Sequence, residues 1–281
     1  MRFGVHVSMA GGFAKAAAAA RSLGCEAFQI FAGNPRGWAR KPIDPRDLEG
    51  FRAALAEGGL GPVVVHLSYL PNPASLDDDL YTRSVAAMKE DFVRANLLGA
   101  EFFVVHPGAC PAERRGEGVA RLLRGIEETL AEVPGPTKLL LENQGSRKRE
   151  IAADLAELSL LLDRLDPERV GVCFDTCHAF VAGYDLRTPT GWADALAFLS
   201  GHGGLDRLKI IHANDAKGEL GSGIDRHEHI GQGYLGDGAF AAMGEIPGLA
   251  DRAVILETPQ EEPEDDLRNL AAIRRLTAGR K

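Results

Sequence analysis

Cysteine is scarce in this sequence, and its few cysteines form neither a disulfide framework nor a thiolate metal motif. The four are Cys25, Cys110, Cys173 and Cys177, and no two of them form a Cys-x-x-Cys pair. Disulfide-rich secreted domains and thiolate zinc modules both depend on paired or closely spaced cysteines. We therefore expect small, buried, reduced thiols and a cytoplasmic protein.

A long apolar run, a leader sequence and an excess of positive charge are also missing. No segment approaches the roughly 20 apolar residues that a membrane helix needs, and the start, MRFGVHVSMAGGF, lacks the charged-then-apolar order of a secretory signal. The net charge of −8 disfavours indiscriminate binding of nucleic acid, because phosphates are recognised by basic surfaces. These absences argue against a membrane protein and against a protein that coats nucleic acid non-specifically.

No stretch rich in proline, glycine or serine divides the chain into two parts. The first apolar run is followed by GGFAKA, which is not the Gly-x-Gly-x-x-Gly turn of a dinucleotide-binding sheet. With 281 residues, of which 45% are hydrophobic, the chain can bury one large core. We expect a single domain over residues 1–281.

Eight short apolar runs alternate with longer helical segments along the chain. Helices are predicted, for example, at residues 80–99 and 150–165, where apolar residues recur every three or four positions. Continuous apolar strands alternating with helices predict a parallel sheet covered by helices, and eight such units are typical of a (β/α)8 TIM barrel. This α/β barrel is the expected fold, with a doubly wound open sheet as the alternative. The predicted strands are residues 2–7, 27–32, 62–67, 102–107, 138–143, 170–175, 208–213 and 253–258.

Six of these strands, the third to the eighth, end in a side chain that can bind a metal ion. In a barrel of this kind the carboxyl ends of the strands converge on one face, where active sites lie. A single histidine after an apolar run is more often a core residue than a ligand, but six successive occurrences reverse that expectation. Without cations, the crowded carboxylates would be electrostatically unfavourable. The six residues are His66, His106, Glu142, Asp175, His212 and Glu257.

Three further residues extend this set to nine candidate ligands. His178 lies one helical turn beyond Asp175, while Asp225 and His227 have the spacing that places two side chains on one side of an extended segment. The segment that carries them, residues 214–233, is rich in glycine and is expected to fold over the barrel mouth. Mixed imidazole and carboxylate ligands in this number predict two or three zinc or manganese ions with open positions for water and substrate.

The sequence resembles the endonuclease IV family of apurinic/apyrimidinic DNA-repair endonucleases. The two most specific segments are FDTCHAFVAGYD, within residues 171–188, and DRHEHIGQG, within residues 221–233. Shorter matching segments occur in the family's order along nearly the whole chain: HVSMAGG, VVVHLSYL, FVVHPG, LLLENQ, IHANDAK and VILETP.

This resemblance implies a TIM barrel with three zinc ions that acts on double-stranded DNA containing abasic sites. The expected reaction is hydrolysis on the 5′ side of the abasic site, leaving a 3′-hydroxyl and a 5′-deoxyribose phosphate. Glu142 would be the catalytic residue and would bridge two ions. The implied ligand sets are His66, His106 and Glu142 for the first ion; Glu142, Asp175, His212 and Glu257 for the second; and His178, Asp225 and His227 for the third.

The resemblance also implies DNA contacts by Arg36, Tyr69 and Leu70 near the lesion. Manganese is an alternative ion at one or more positions, 3′-end-cleaning phosphodiesterase activity is expected, and a monomer suits docking on DNA. One segment departs from the family pattern, because QGSRKREI follows Glu142 almost directly where the family often has a Gly-rich insert. The resemblance therefore carries over no DNA contact for this loop.

The acidic net charge is compatible with a DNA substrate. Three divalent ions would reduce the charge of −8 to about −2, and lesion-specific binding that depends strongly on salt concentration is expected. Local basic groups predicted near the mouth are Arg36, Arg40, Lys41, Arg114, Arg115, residues 147–149, Lys217 and Arg226.

Two other functions remain open from the residues alone. A sugar isomerase or epimerase on the same barrel would use Glu142, Asp175, His212 and Glu257 around one or two ions, but it has no role for the other five candidates. A lesion-binding or metal-storage protein would bind without cutting, which open ligand positions disfavour. Isomerase activity on free sugars, or tight DNA binding without incision, would identify these alternatives.

Overall fold

All eight predicted strands are present in the computed structural model, which describes residues 1–279. Most are shorter than the apolar run that predicted them, because the last residues of the run turn into the following loop. The strands are β1 (Arg2–Val5), β2 (Phe28–Phe31), β3 (Val63–His66), β4 (Phe102–Val105), β5 (Lys138–Glu142), β6 (Val170–Asp175), β7 (Leu208–His212) and β8 (Ala253–Leu256).

These strands form one parallel sheet that closes into a barrel. Consecutive strands are neighbours from β2 to β8, and β8 pairs in parallel with β1. The circle closes between β1 and β2 through a parallel bridge between His6 and Gln29, where the Val7 N–H donates to the Gln29 carbonyl at 2.8 Å. The predicted TIM barrel is therefore confirmed, and the open-sheet alternative is wrong.

Helices surround the barrel, as the three- and four-residue apolar spacing predicts. Gly59 and Gly99 end two of them in the left-handed conformation, with φ values of 59° and 71°, which residues with a Cβ rarely adopt. No helix within residues 1–279 is long and apolar enough to cross a membrane. The helices are α1 (Phe13–Ser22), α2 (Pro45–Gly58), α3 (Asp78–Leu98), α4 (Arg115–Glu132), α5 (Leu155–Leu162), α6 (Thr176–Val181), α7 (Pro189–Leu196), α8 (Gly236–Glu245) and α9 (Asp265–Thr277), with short 3-10 segments at Ala112–Arg114, Ala197–Leu199 and Gly204–Arg207.

The helix predicted over residues 150–165 is shorter than expected. α5 begins only after Asp154, whose carboxylate accepts a hydrogen bond from the Ala156 N–H at 3.0 Å. Ala152 has a φ of 63°, a left-handed conformation that a continuous helix does not contain. The apolar spacing of residues 150–154 therefore reflects a mostly buried turn and not a helical face.

Apolar side chains fill the barrel interior and the layer between the sheet and the helices. All four cysteines are free and buried, as predicted. Successive residues of a strand point to opposite faces, so the residue two positions after an interior side chain points inward again, nearer the mouth. The interior cluster consists of Ala27, Val64, Val104, Leu140, Cys173, Ile210, Ala253 and Ile255.

Candidate metal centre

The polar residues at the strand ends continue the inward-facing series of the barrel interior. Each of the six predicted strand-end residues lies two positions after a member of the interior apolar cluster, as His66 lies after Val64. Because side chains alternate between faces along a strand, both residues of such a pair point into the barrel. The six side chains therefore meet inside the mouth, where Glu142, Asp175 and His212 are fully buried.

Glu142 lies at the centre of this group, with imidazoles on both carboxylate oxygens. Its Oε2 is 3.1 Å from His66 Nε2 and 3.0 Å from His106 Nε2. Its Oε1 is 2.9 Å from His212 Nδ1, which in turn lies 3.3 Å from Glu257 Oε2. One carboxylate thus faces two separate sets of donors, an arrangement that suits a ligand shared by two ions.

A second group forms beside the first, around Asp225. His178 Nε2 is 3.1 Å from Asp225 Oδ2, and His227 Nε2 is 3.5 Å from Asp225 Oδ1. His227 Nε2 also lies 3.9 Å from Asp175 Oδ2, and His178 Nδ1 lies 3.5 Å from Glu142 Oε1. The two groups therefore share an edge, and the structure brings all nine predicted ligands into one cluster.

The segment between β7 and α8 carries Asp225 and His227 back to the mouth. A short antiparallel ladder narrows its base, where Asp215–Ala216 pairs with His227–Glu228. The buried carboxylate of Asp215 then ties the base together, because one charged acceptor satisfies five backbone donors that would otherwise need separate partners. At 2.8–3.4 Å it accepts hydrogen bonds from the N–H groups of Ala216, Gly231, Gly233, Leu235 and Gly236.

Replacing Asp215 with asparagine is expected to weaken any metal binding at the His178, Asp225 and His227 group about 10- to 100-fold, the usual effect of removing a group that orients metal ligands. An amide carries no charge, and its NH2 group would face backbone donors instead of accepting from them. Zinc content after dialysis and competition with a chelator measure the effect. Asp77→Asn is the control. Asp77 accepts a hydrogen bond from only one backbone N–H, at the start of α3, and lies far from Asp215 in the chain. Unchanged zinc content in Asp215→Asn would contradict this role.

Four of the five imidazoles in the cluster are held by a hydrogen bond from one ring nitrogen to a neutral oxygen. His212 Nε2 lies 2.8 Å from the side-chain oxygen of Gln29. Such bonds fix the tautomer and leave the other ring nitrogen to face the carboxylates, as in metal-binding histidines. The other three donate from Nδ1 to backbone carbonyls at 2.6–2.9 Å: His66 to Leu67, His178 to Asn143 and His227 to Glu257.

The buried carboxylates and imidazoles strongly shift each other's pKa values. Burial raises the pKa of Glu142, but the neighbouring imidazoles, His212 foremost, outweigh burial and hold it well below its usual range. Burial lowers the pKa of His178, yet the carboxylates of Asp175 and Asp225 raise it well above the ordinary value. Within residues 1–279 all salt-bridge partners of these carboxylates are histidines. Metal ions would supply permanent positive charge that imidazoles lack.

Several sets of three donor atoms in the cluster lie close enough together to hold one ion. The sets His66, His106 and Glu142, and His178, Asp225 and His227, each have donor atoms within 4.8 Å of one another. The predicted set of Glu142, Asp175, His212 and Glu257 is divided among other groups. His212 and Glu257 group with His66, and Asp175 groups with Cys177 and His227. Burial raises the pKa of the Cys173 thiol to about 12 and also raises the pKa of the Cys177 thiol, which disfavours the thiolate forms of both side chains as ligands. The donors are thus imidazoles and carboxylates, which fit zinc or manganese.

Sequence reasoning missed three amides that support these ligands. Gln29 Nε2 donates to Glu257 Oε1 at 2.6 Å, and Asn214 Nδ2 donates to Asp175 Oδ2 at 2.6 Å. Asn143 exchanges two hydrogen bonds with the backbone of Asp175, at 2.7 and 3.0 Å. The available signal for Gln29 was a polar residue inside an apolar strand, and each asparagine follows a predicted ligand by one or two positions.

A cleft of about 1270 Å³ opens above the cluster and continues along the loops after β1 and β2. Arg36 and Tyr69 line it together with four of the five histidines of the cluster, and Tyr69 is 70% exposed. Its ring packs edge-on against Phe31, with centroids 5.1 Å apart. Leu70 is half-buried and is not among the residues that line the cleft. Two of the three predicted DNA contacts therefore face the cleft.

Arg40 does not face the cleft as a free cation, contrary to the sequence-based prediction. Its side chain is only 1% exposed and pairs with Asp91 at 2.7 Å. Arg115 is also occupied, since it forms an ion pair with Glu157 at 2.6 Å. The predicted basic groups that are exposed include Arg36, residues 147–149 and Arg226.

Comparison with known proteins places the chain among close relatives. A family model described as a xylose isomerase-like TIM barrel matches residues 17–276. A protein named probable endonuclease 4 from Methanoculleus marisnigri is 43% identical over 275 residues, which span 97% of this chain and 98% of that protein. The crystal structure of endonuclease IV from Thermus thermophilus has a TM-score of 0.85 at 41% identity and covers 99% of both chains.

The barrel alone does not separate nucleases from sugar epimerases. The crystal structure of a D-tagatose 3-epimerase-like protein has a TM-score of 0.74, covering 99% of this chain and 97% of that one, but at 19% identity it shares only the fold. The distinction lies in the residues, because the endonuclease relatives keep more than 40% identity over nearly the entire length of both chains. At 43% and 41% identity over nearly the whole of both chains, this chain belongs to the endonuclease IV family.

Proposed function

We propose that this chain is a metal-dependent endonuclease of DNA repair that hydrolyses the phosphodiester bond 5′ to an abasic site in double-stranded DNA. The products are a 3′-hydroxyl and a 5′-deoxyribose phosphate, and residues 1–281 act as one catalytic domain. One observation carries the proposal: imidazoles and carboxylates converge in two adjoining groups at the floor of one cleft. A sugar epimerase would need only the group around Glu142, Asp175, His212 and Glu257, so the group around Asp225 favours a phosphodiester substrate.

Zinc is the proposed resident metal, with three ions per chain and manganese as an alternative at one or more positions. The close approach of their donor atoms supports the first and third ligand sets. When bound, the ions supply water of lowered pKa and polarise phosphate oxygens. The sets are His66, His106 and Glu142; then Glu142, Asp175, His212 and Glu257; then His178, Asp225 and His227.

Residues of the chain orient the proposed metal ligands and close the side of the centre that faces the barrel interior. Glu142 is the proposed catalytic residue, because it is fully buried and both of its oxygens face imidazoles. Gln29 donates a hydrogen bond to the carboxylate of Glu257, and Asn214 donates one to the carboxylate of Asp175. Neither carboxylate can rotate without breaking its hydrogen bond, so both are fixed in orientation. Apolar side chains fill the barrel interior beneath the centre, and substrate and water would reach it through the cleft above.

Lesion recognition is proposed to involve Arg36, Tyr69 and Leu70. Arg36 is exposed at the cleft, where its guanidinium can pair with DNA phosphates. An abasic nucleotide has no base to unstack, so turning it out of the duplex requires less free energy than for a paired nucleotide. The exposed ring of Tyr69, with Leu70 beside it, would fill the space that the nucleotide leaves.

Three further features complete the proposal. The same centre would remove blocking groups from 3′ ends, since that reaction also hydrolyses a phosphodiester attached to a sugar. The chain would act as a monomer, because one cleft accommodates one lesion. A cytoplasmic location agrees with the four free thiols.

A labelled duplex with one stable abasic-site analogue tests the reaction directly. The protein is expected to cut the labelled strand once, on the 5′ side of the analogue, and to leave a 3′-hydroxyl that a DNA polymerase extends. The stable analogue is needed because natural abasic sites also break by elimination. An identical duplex without the lesion is the control and is expected to stay intact.

Each other result points to a specific alternative. Tight binding of the lesion duplex without incision would identify a lesion-binding protein. No incision and no tight binding by protein that contains its metals would overturn the DNA substrate, and ketohexoses and their phosphates would then be assayed for epimerisation.

A further inference from the structure

We propose that Arg40 is a positioning residue for lesion recognition, which holds the loops of Arg36 and Tyr69 in one fixed arrangement. The inference rests on the proposed function. Arg40 lies in the loop between β2 and α2, and its side chain points away from solvent, with 1% of its surface exposed. It therefore acts through other residues and does not touch the DNA.

All five N–H groups of the Arg40 guanidinium are matched by five acceptors. Three of these acceptors belong to loops that border the cleft, and two belong to one carboxylate on α3. A planar guanidinium has its donors in fixed directions, so satisfying all five determines where each acceptor lies. The distances are 2.7 and 2.8 Å to the two oxygens of Asp91, 2.8 Å to Ser68 Oγ, 2.6 Å to the Gly37 carbonyl and 3.3 Å to the Asn34 carbonyl.

These acceptors flank the two residues that are proposed to meet the lesion. Arg36 lies between Asn34 and Gly37, whose carbonyl oxygens both accept from Arg40. Tyr69 directly follows Ser68, whose hydroxyl also accepts from Arg40. One buried side chain thus links two loops that are separate in the sequence, and it fixes the spacing between the Arg36 backbone and the Tyr69 backbone.

Two further contacts from α3 hold the same loop at other points. Arg94 donates to the Ala32 carbonyl at 2.7 Å and to the Lys41 carbonyl at 2.8 Å, and so closes the two ends of the loop. The guanidinium of Arg83 lies 4.2 Å from the ring centroid of Trp38, a cation–π contact. α3 therefore holds the loop at its ends and its middle, and Arg40 extends this support to the loop after β3.

Stability alone does not explain a fully buried ion pair at this place. Removing two charges from water offsets much of their attraction, so apolar residues of similar size stabilise a protein about equally well. What apolar residues cannot do is fix five acceptors in defined directions. Holding Arg36 and Tyr69 in place before DNA arrives reduces the conformational entropy lost on binding.

Two variants separate positioning from stability. Arg40→Lys keeps the charge but has three donors on one nitrogen, and the double variant Arg40→Met with Asp91→Leu removes both buried charges together. With the stable abasic duplex, both are expected to raise KM and the dissociation constant so that kcat/KM falls on the order of 10- to 100-fold, while kcat and zinc content change little. The melting temperature of the double variant is expected to stay near that of the wild type. Arg207→Lys is the matched control, because Arg207 is buried at the opposite, amino-terminal end of β7.

Two results would contradict a positioning role for Arg40. Wild-type KM in Arg40→Lys, or in a double variant of wild-type stability, would overturn the inference. An equal rise in KM in Arg207→Lys would also overturn it, since general loss of rigidity would then be the cause. If the wild-type protein itself does not incise the duplex, the proposed function fails first, and this inference fails with it.

Discussion

Replacing Glu142 with glutamine is expected to lower kcat/KM for the abasic duplex by roughly 10³-fold or more. Ions that polarise a phosphate contribute several kcal/mol of transition-state stabilisation, and each factor of ten corresponds to about 1.4 kcal/mol. Glutamine keeps the size of the side chain but loses the charge and one of the two acceptor oxygens, while Glu142 has imidazoles on both. Incision kinetics together with zinc content per chain measure the loss of activity and of the shared ligand.

A matched control keeps this result specific. The carboxylate of Glu101 also supports the barrel, because it accepts a hydrogen bond from the Val63 N–H at 2.7 Å, but it does so at the amino-terminal end of β3. Glu101→Gln is expected to leave kcat/KM within a factor of about two, as surface substitutions usually have small effects. A Glu142→Gln protein that keeps wild-type kcat/KM would rule out the proposed role of Glu142.

Removing the bound metal is expected to abolish incision and to lower the melting temperature. In stripped protein the only salt-bridge partners of these carboxylates within residues 1–279 are imidazoles. The free energy of unfolding also loses the contribution of binding, which is about 4 kcal/mol for one ion at a thousand times its dissociation constant. Zinc is expected to restore both properties, and manganese to restore part of the activity. Magnesium is not expected to do so, because it prefers oxygen ligands.

The measurement combines metal analysis, melting curves and incision of the stable abasic duplex before and after chelation. Protein that passed through the same procedure with a zinc-saturated chelator is the control for damage by handling. Full incision by protein with almost no bound metal would contradict a metal-dependent reaction. A content of one ion per chain in active protein would instead contradict the three-zinc assignment and leave the metal dependence intact.

The segment after Glu142 illustrates where sequence patterns mislead. Residues 150–154 continue the apolar spacing of α5, but the left-handed Ala152 and the capping Asp154 make them a turn. Periodicity reports which side chains are buried, and buried turns produce the same signal as buried helical faces. The conformation of Ala152 depends on the packing around it, which a single sequence does not reveal.

The polar residues that support the ligands could not be identified from the sequence either. Gln29 contacts His212 and Glu257, which lie 183 and 228 positions away in the chain. The local signal, a polar residue inside an apolar strand, is the same for a glutamine at an exposed strand edge and does not identify these partners. Asp215 was also overlooked, since four of its five backbone partners come near it only when the segment that carries Asp225 and His227 has folded over the mouth.

The sequence by itself determined the barrel and the convergence of the candidate ligands. Both follow from local rules: apolar strands alternating with helices define the fold, and because side chains alternate between faces, the residue two positions after each interior residue points inward at the mouth. The tertiary structure alone decided which polar residues support the ligands and which arginine is buried. Arg36 and Arg40 look alike as sequence, yet one faces the cleft and the other satisfies Asp91, because burial and hydrogen-bond partners depend on contacts between residues far apart in the chain.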